Sequence, residues 1–342
     1  MQKSRNLNTA IILLLVVAIA AGAYSLLRSP APKQPPEIPP APSTPVPTPA
    51  PVPIEPMPGV PQFDAGKYKA EPVVSIYRAE TGSIESLPLE KYLEGVIAKE
   101  MFPDWPVEAL AAQAIASRTL TISAIEAGTI RRLHGTDVST SKEELQAYAP
   151  EKVNDKVREA VKRTRGQIIL YNGTLVNAIY SSCNAQVGAT KEESFPTEIQ
   201  GPTPYFQPIH DDCFEYAPAE QHNWTIKIPG SQVAAAIGYK GNPRDITILE
   251  RGPSGRILYI GAGDKKVYGS DFRKRIGYDR LKSTLVTEMT YDGKNFTFKG
   301  MGWGNGVGLC QWGAYTDAQH GKTAAEMITH YYPGVTLTKL WD

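Results

Sequence analysis

Apolar residues at Leu89, Tyr92, Leu93, Val96 and Ile97 recur at the i, i+3, i+4, i+7, i+8 spacing of one helical face. The spacing predicts a helix from about Pro88 to Met101, ended by Pro103. Glu100 falls at i+11, on the apolar stripe and in the last turn. Burial disfavours a charged carboxyl, and so does the negative end of the helix dipole. The pattern therefore predicts a glutamic acid with a raised pKa, the property a general acid needs near neutral pH. A second helix is predicted from about Trp105 to Ala127, with Asp104 as its N-cap and Pro106 in its first turn. Its stripe runs through Val107, Leu110, Ala111, Ala114, Ile115, Ile122 and Ile125, and Arg118 falls on it too. Two readings of that arginine compete. Paired with Glu100 it would be a structural ion pair and would lower the pKa of the carboxyl; catalysis requires it to face a substrate instead.

Further along, the period changes from helical to extended. "RGQIILYNGTLVNAIYSS" reads as two strands about an Asn172-Gly173 turn, the second delivering Tyr180, Ser181 and Ser182 into a turn region. Between about Gly201 and Leu285 the pattern predicts short mixed strands with Gly/Pro turns. In "KGMGWGNGVGLCQWGAY" glycine occupies 300, 302, 304, 306 and 308. Strict alternation predicts an extended chain with a bare glycine face, backed by Met301, Trp303, Asn305, Val307 and Leu309. Such a face suits close approach of a ligand or another backbone. No nucleotide-binding glycine motif can be read in it. "DAQHGKTAAEMITHYYPG" then predicts a helix leading into His330, Tyr331 and Tyr332. The whole predicts an α+β fold, a helical pair carrying Glu100 packed on mixed, mainly antiparallel β-structure.

The N-terminus changes the picture. Lys3 and Arg5 precede an uncharged run from Thr9 to Leu27, which is long enough to cross a bilayer and is read as a signal anchor, residues 1–28, with its basic end in the cytoplasm. Small residues at its end also admit cleavage. Residues 29–62 form a proline-rich spacer that prefers polyproline II, with a reach of roughly 90 Å. Residues 63–342 make the exported domain, held at the membrane's outer side and facing a target in the surrounding wall. A net charge of +1 supplies no electrostatic reason to expect a nucleic-acid partner.

The chain has three cysteines and no C-x-x-C. Outside the cytoplasm, Cys183 and Cys213 are expected to form a disulfide worth about 3–4 kcal/mol on the chain-entropy model, leaving Cys310 as a buried thiol. Zinc on His210, Asp211 and Cys213 is the rival reading, without a second paired spacing to support it.

Three ordered stretches, "LPLEKYLEGVIAKEMFPDWPVEALAAQAIASRT", "IYSSCNAQVGAT" and "GMGWGNGVGLCQWGAYTDAQHGKTAAEMITHYYPG", resemble the stage II sporulation protein D and amidase-enhancer family from about Val74 to the C-terminus. The resemblance implies a lytic transglycosylase that cuts the glycan strands of peptidoglycan. It places the catalytic glutamate at Glu100 and a substrate-binding arginine at Arg118. Tyr180, Ser181 and Gln311 match further positions of the cleft, and spacing adds Trp303 or Trp312 as a ring to cover a sugar. The chain departs from the family pattern at Asn305, where a histidine is common, and at Val187-Gly188-Ala189-Thr190, a reduced form of a glycine motif. His134 matches one zinc ligand of some members, but serine and leucine stand where their cysteines would, so no metal and no cofactor is expected. A monomer is expected. The competing functions are a non-catalytic activator that binds glycan or a partner amidase, and a structural wall tether.

Overall fold

The computed structural model describes residues 62–342. The anchor expected at 1–28 and nearly all of the spacer lie outside the described residues. Among those described, no helix is long and apolar enough to cross a membrane.

The two predicted helices form close to their expected limits, α1 as Leu89–Glu100 and α2 as Val107–Ala127. Met101 turns extended beyond α1 (φ −123°, ψ 167°), two residues ahead of Pro103. Gly128 ends α2 in the left-handed region (φ 62°), where its N–H reaches the carbonyls of Ala124 and Ile125. Asp104 does not cap α2: Pro106 takes that position, and the Asp104 carboxylate accepts from Asn154 instead. Nor does α2 bury a single stripe. From Ala109 to Thr119 every residue is buried, because the helix runs through the middle of the larger core. Around it pack α1, α3 (Asp155–Arg163), a strand at Gln167–Tyr171, and the C-terminal helices at Gln311–Gln319 and Ala324–Tyr331.

Strands β1 (Val73–Tyr77), β2 (Ile84–Pro88) and β3 (Val138–Ser139) form one small sheet. Strands β4 (Gln167–Tyr171) and β5 (Thr174–Leu175) make a hairpin whose Asn172 (φ 48°) and Gly173 (φ 76°) are both left-handed, as a two-residue primed turn requires. Its second strand stops at Leu175, and Tyr180 and Ser181 are delivered by a separate strand in another sheet. A second core was hidden in the region read only as short strands. Trp224, Ile228, Ile260, Phe272, Phe296 and Phe298 cluster there. It is built from β7 (Trp224–Pro229), α4 (Gly230–Ile237), β8 (Thr247–Arg251), β9 (Ile257–Ala262), β10 (Lys265–Tyr268), α5 (Gly269–Ile276), β11 (Val286–Tyr291) and β12 (Asn295–Gly300). All pairings within its two sheets are antiparallel. The fold is α+β and mainly antiparallel.

Two chain segments far apart in sequence then meet. Strand β6 (Tyr180–Ser181) pairs in parallel with β13 (Leu309–Cys310), matching Leu309 to Tyr180 and Cys310 to Ser181. The helix expected after the glycine segment is two helices, α6 (Gln311–Gln319) and α7 (Ala324–Tyr331). Gly321 is left-handed between them (φ 80°), and the Thr323/Glu326 capping box starts α7 afresh. The last strand, β14 (Thr336–Lys339), closes on β4.

The glycine segment is not the extended, bare-faced strand that alternation predicts. Gly302, Gly304, Gly306 and Gly308 have φ of 74°, 117°, 82° and 68°, so every second residue bends into the left-handed region. Their missing side chains face the protein: a Cβ at Gly306 would strike the Arg256 guanidinium, and one at Gly308 the Ile179 carbonyl. At these glycines the protein's own backbone and side chains approach closely.

Candidate active site

Glu100 ends α1, and its Oε1 accepts the Ala147 N–H at 2.6 Å. Burial pushes its pKa up, against the Ala147 N–H, the Tyr180 hydroxyl and the more distant ammonium groups of Lys99 and Lys142, which pull it down. Among the described residues, no second carboxylate is among the groups acting on it. The rise expected from the apolar stripe is thus present and comes mainly from desolvation. Tyr180 lies beside it. Its hydroxyl donates to Gln146 Oε1 at 3.1 Å, and Gln146 in turn donates to Thr121 at 2.8 Å. Burial, then the charge of Glu100, holds the Tyr180 hydroxyl well above the ordinary tyrosine value, so it serves as a donor. Gln311, first in α6, donates to the Glu100 carbonyl at 3.0 Å and faces Gln113 Oε1 at 3.4 Å. One of the carbonyls left open at the end of α1 is thereby satisfied from a residue 211 positions away.

Arg118 is elsewhere. It is fully buried, donating to both oxygens of Glu90 (3.0 and 2.6 Å) and to the Gln167 carbonyl (3.0 Å). The carboxylate it meets is Glu90 and not Glu100. Ser181 is also buried: its Oγ accepts the Gly306 N–H at 3.0 Å and donates to the Trp303 carbonyl at 3.3 Å, splinting the glycine segment. The Trp303 backbone pairs with Cys183, and Lys282 Nζ sits 3.9 Å over its ring, so an ammonium already occupies that face. Asn305, standing where the family commonly has histidine, donates to the Tyr180 carbonyl at 3.0 Å and accepts the Val307 N–H at 2.7 Å.

The sugar-sized aromatic surface is Trp312's. Its ring lies 4.6 Å from Trp105, 5.5 Å from Tyr315 and 6.4 Å from Phe102. Trp312, Trp105 and Tyr315 line a groove of about 350 Å³ with Tyr216, Asp104 and Lys156. Phe102, 63% exposed, stands beside the groove, whose lining residues Asp104 and Trp105 follow the end of α1 in the chain; the Glu100 carboxyl is not part of that lining. Phe102, Trp105, Tyr216, Tyr315 and Gln146 escaped the sequence reading. The i, i+3 spacing of Trp312 and Tyr315 and the "FPDW" run after Glu100 were the available signals.

His134, the residue matching a family zinc ligand, accepts or donates at Glu144 (2.9 Å) and stacks on Tyr77 at 3.8 Å. Cys183 and Cys213, expected as a disulfide, stand as thiols with sulfurs 2.9 Å apart, and Cys310, expected alone, completes a trio with them.

Residues 77–171, which contain Glu100 and Arg118, match the Stage II sporulation protein family profile. The chain is 28% identical to stage II sporulation protein D of Bacillus amyloliquefaciens over 79% of this chain and 80% of that one. It is 30% identical to an uncharacterized protein of Brachyspira hyodysenteriae, over 74% and 67%. It is 27% identical to the amidase enhancer of Bacillus subtilis strain 168, over 72% of this chain and 40% of that one. The chain belongs to the stage II sporulation protein D family.

Proposed function

We propose that the protein is a lytic transglycosylase acting on the glycan strands of peptidoglycan, with Glu100 as its acid and then its base. The observation that carries this is a half-buried glutamic acid with a raised pKa and, among the described residues, no ion-pair partner, at the end of the helix that precedes an aromatic groove. In the first step the protonated Glu100 gives its proton to the glycosidic oxygen. In the second its carboxylate takes the proton of the sugar's own 6-hydroxyl as that oxygen closes a 1,6-anhydro ring. Hydrolytic glycosidases need a second carboxylate to attack or to activate water; here proximity of the internal hydroxyl replaces it. Tyr180 positions the carboxyl by its hydroxyl, and Gln311 fixes the helix end that bears it. The N-terminal segment would anchor the domain to the cell membrane, with the spacer reaching the wall outside, where amidases supply glycan freed of peptide.

The test is Glu100→Gln, which keeps shape but removes the transferable proton. Incubated with glycan strands stripped of peptide, it should release anhydro-ended products at least about 10²-fold more slowly than wild type while still binding glycan. Equal rates, or wild-type products with only reducing ends, would leave the amidase-activator reading in its place.

A further inference from the structure

Behind the Glu100 site, three cysteines from separate stretches converge. Cys183 follows β6, Cys310 ends β13 and caps α6, and Cys213 opens a 3-10 turn (Cys213–Glu215). All three are buried, and their sulfurs lie within 4.8 Å of one another. A fourth group lies beside Cys213 and Cys310, outside that mutual spacing, so it must turn toward the sulfurs to complete a set. Asp211, 2% exposed, uses Oδ1 to accept the Cys213 N–H at 2.9 Å and the Tyr331 hydroxyl at 3.4 Å, while its Oδ2 is buried without a partner. Oδ1 and the Cys310 sulfur both abut Gly313, whose N–H the sulfur accepts at 3.3 Å.

A buried carboxylate oxygen with no donor is costly, and nothing in a disulfide would relieve it. A cation would. Three thiolates and one carboxylate are a closed tetrahedral set for zinc, and soft sulfur ligands disfavour magnesium or calcium. Zinc–sulfur bonds of about 2.3 Å imply sulfur–sulfur edges of about 3.8 Å. The 2.9 Å between Cys183 and Cys213 is shorter than that edge while the whole trio lies within 4.8 Å, so a bound metal would part this pair by about 1 Å. The surplus negative charge has a neighbour as well: Arg256, fully buried, donates to the carbonyls of Asn184 and Val187 and lies close enough to act on Asp211, Cys183 and Cys310.

We propose that Cys183, Cys213, Cys310 and Asp211 form a structural site for one zinc ion. Each thiol gives up its proton to solvent as the metal binds. Cys183 lies three residues beyond Tyr180, and Cys310 directly precedes Gln311. The metal would therefore clamp together the two segments that present Tyr180 and Gln311 to Glu100, and tie both to the loop at 211–213. His134, already held by Glu144, takes no part.

The experiment uses the full-length chain in detergent, reduced and stripped of metal, with Co²⁺ as the spectroscopic probe and Zn²⁺ as competitor. Wild type should take up one Co²⁺ with a sulfur-to-cobalt charge-transfer band and tetrahedral ligand-field bands, both erased by Zn²⁺. Cys310→Ser and Asp211→Asn should each weaken Zn²⁺ at least about 10-fold, and His134→Ala should not. Absence of the charge-transfer band in wild type would overturn the site without recourse to any variant. So would wild-type Zn²⁺ affinity in both Cys310→Ser and Asp211→Asn, or a metal-free Cys183–Cys213 disulfide in the chain isolated from its natural compartment.

Discussion

Helix α1 carries two glutamates with their side chains turned inward, one at each end, and their surroundings are opposite. Glu90, in the first turn, has both oxygens bound to Arg118 and also accepts from the Gly166 N–H (3.0 Å) and the Trp341 indole (3.1 Å). Glu100, in the last turn, has one backbone N–H, a tyrosine and no cationic contact. The positive end of the helix suits an anion at Glu90, and the negative end opposes one at Glu100. An identical side chain thus becomes a structural anchor at one end of a helix and a carboxyl with a raised pKa at the other. What separates them is whether the interior supplies a counter-charge.

Four experiments would break or sharpen that contrast. Glu90→Gln leaves the Arg118 guanidinium buried without its anion, and should cost about 3–5 kcal/mol in denaturant unfolding. A loss below 1 kcal/mol would mean the pair is not the anchor described. Glu100→Gln should do the reverse and stabilise the domain by about 1 kcal/mol at neutral pH, as removing an unpaired buried acid commonly does. The sign follows from the raised pKa: the folded state holds the proton more tightly than the unfolded chain. The stabilisation should therefore vanish in acid, grow as pH rises from the ordinary glutamate range to the raised value, and level off above it. A Glu100→Gln melting temperature that follows wild type at every pH would refute it. Phe102→Ala, at the exposed lip of the groove, should weaken glycan binding about fivefold, the worth of roughly 1 kcal/mol of stacking, with no change in thermal stability; unaltered binding would move the sugar path elsewhere. Tyr180→Phe removes a hydroxyl that holds the Glu100 pKa down, so the alkaline limb of the activity profile should shift upward, the smallest effect of the set. A downward shift would mean the hydroxyl favours the neutral acid.

How much of this was legible beforehand follows the range of the interactions. Glu100 was found because its burial is written in a local 3.6-residue period, and the Asn172-Gly173 hairpin because its turn chemistry is local too. Arg118 was correctly seen as buried but given the wrong company. Its partner Glu90 occupies an N-terminal position of α1 that reads as an ordinary acidic first turn, and Gln167 comes from a strand no helical pattern could bring near. The glycine run misled for a related reason. Alternation looks alike whether glycines face a ligand or a neighbouring backbone, and only the β6–β13 pairing reveals which. The second core stayed invisible because its strands are short and come from separate stretches between 224 and 300, so their period is hard to extend into a sheet.

That two-residue pairing of β6 with β13 has a consequence for when the protein becomes active. Glu100 emerges early in the chain, Tyr180 later, and Gln311 only near the end, so the acid is oriented by contacts spanning most of the domain. Contacts of such long sequence separation form late, after their loop-closure cost has been met. A nascent or truncated chain ending before Leu309 would possess the glutamate yet lack the β13 pairing and the Gln311 bond to its helix end. On the proposed function, the domain would acquire its activity only once it is whole, a safeguard written into the folding order.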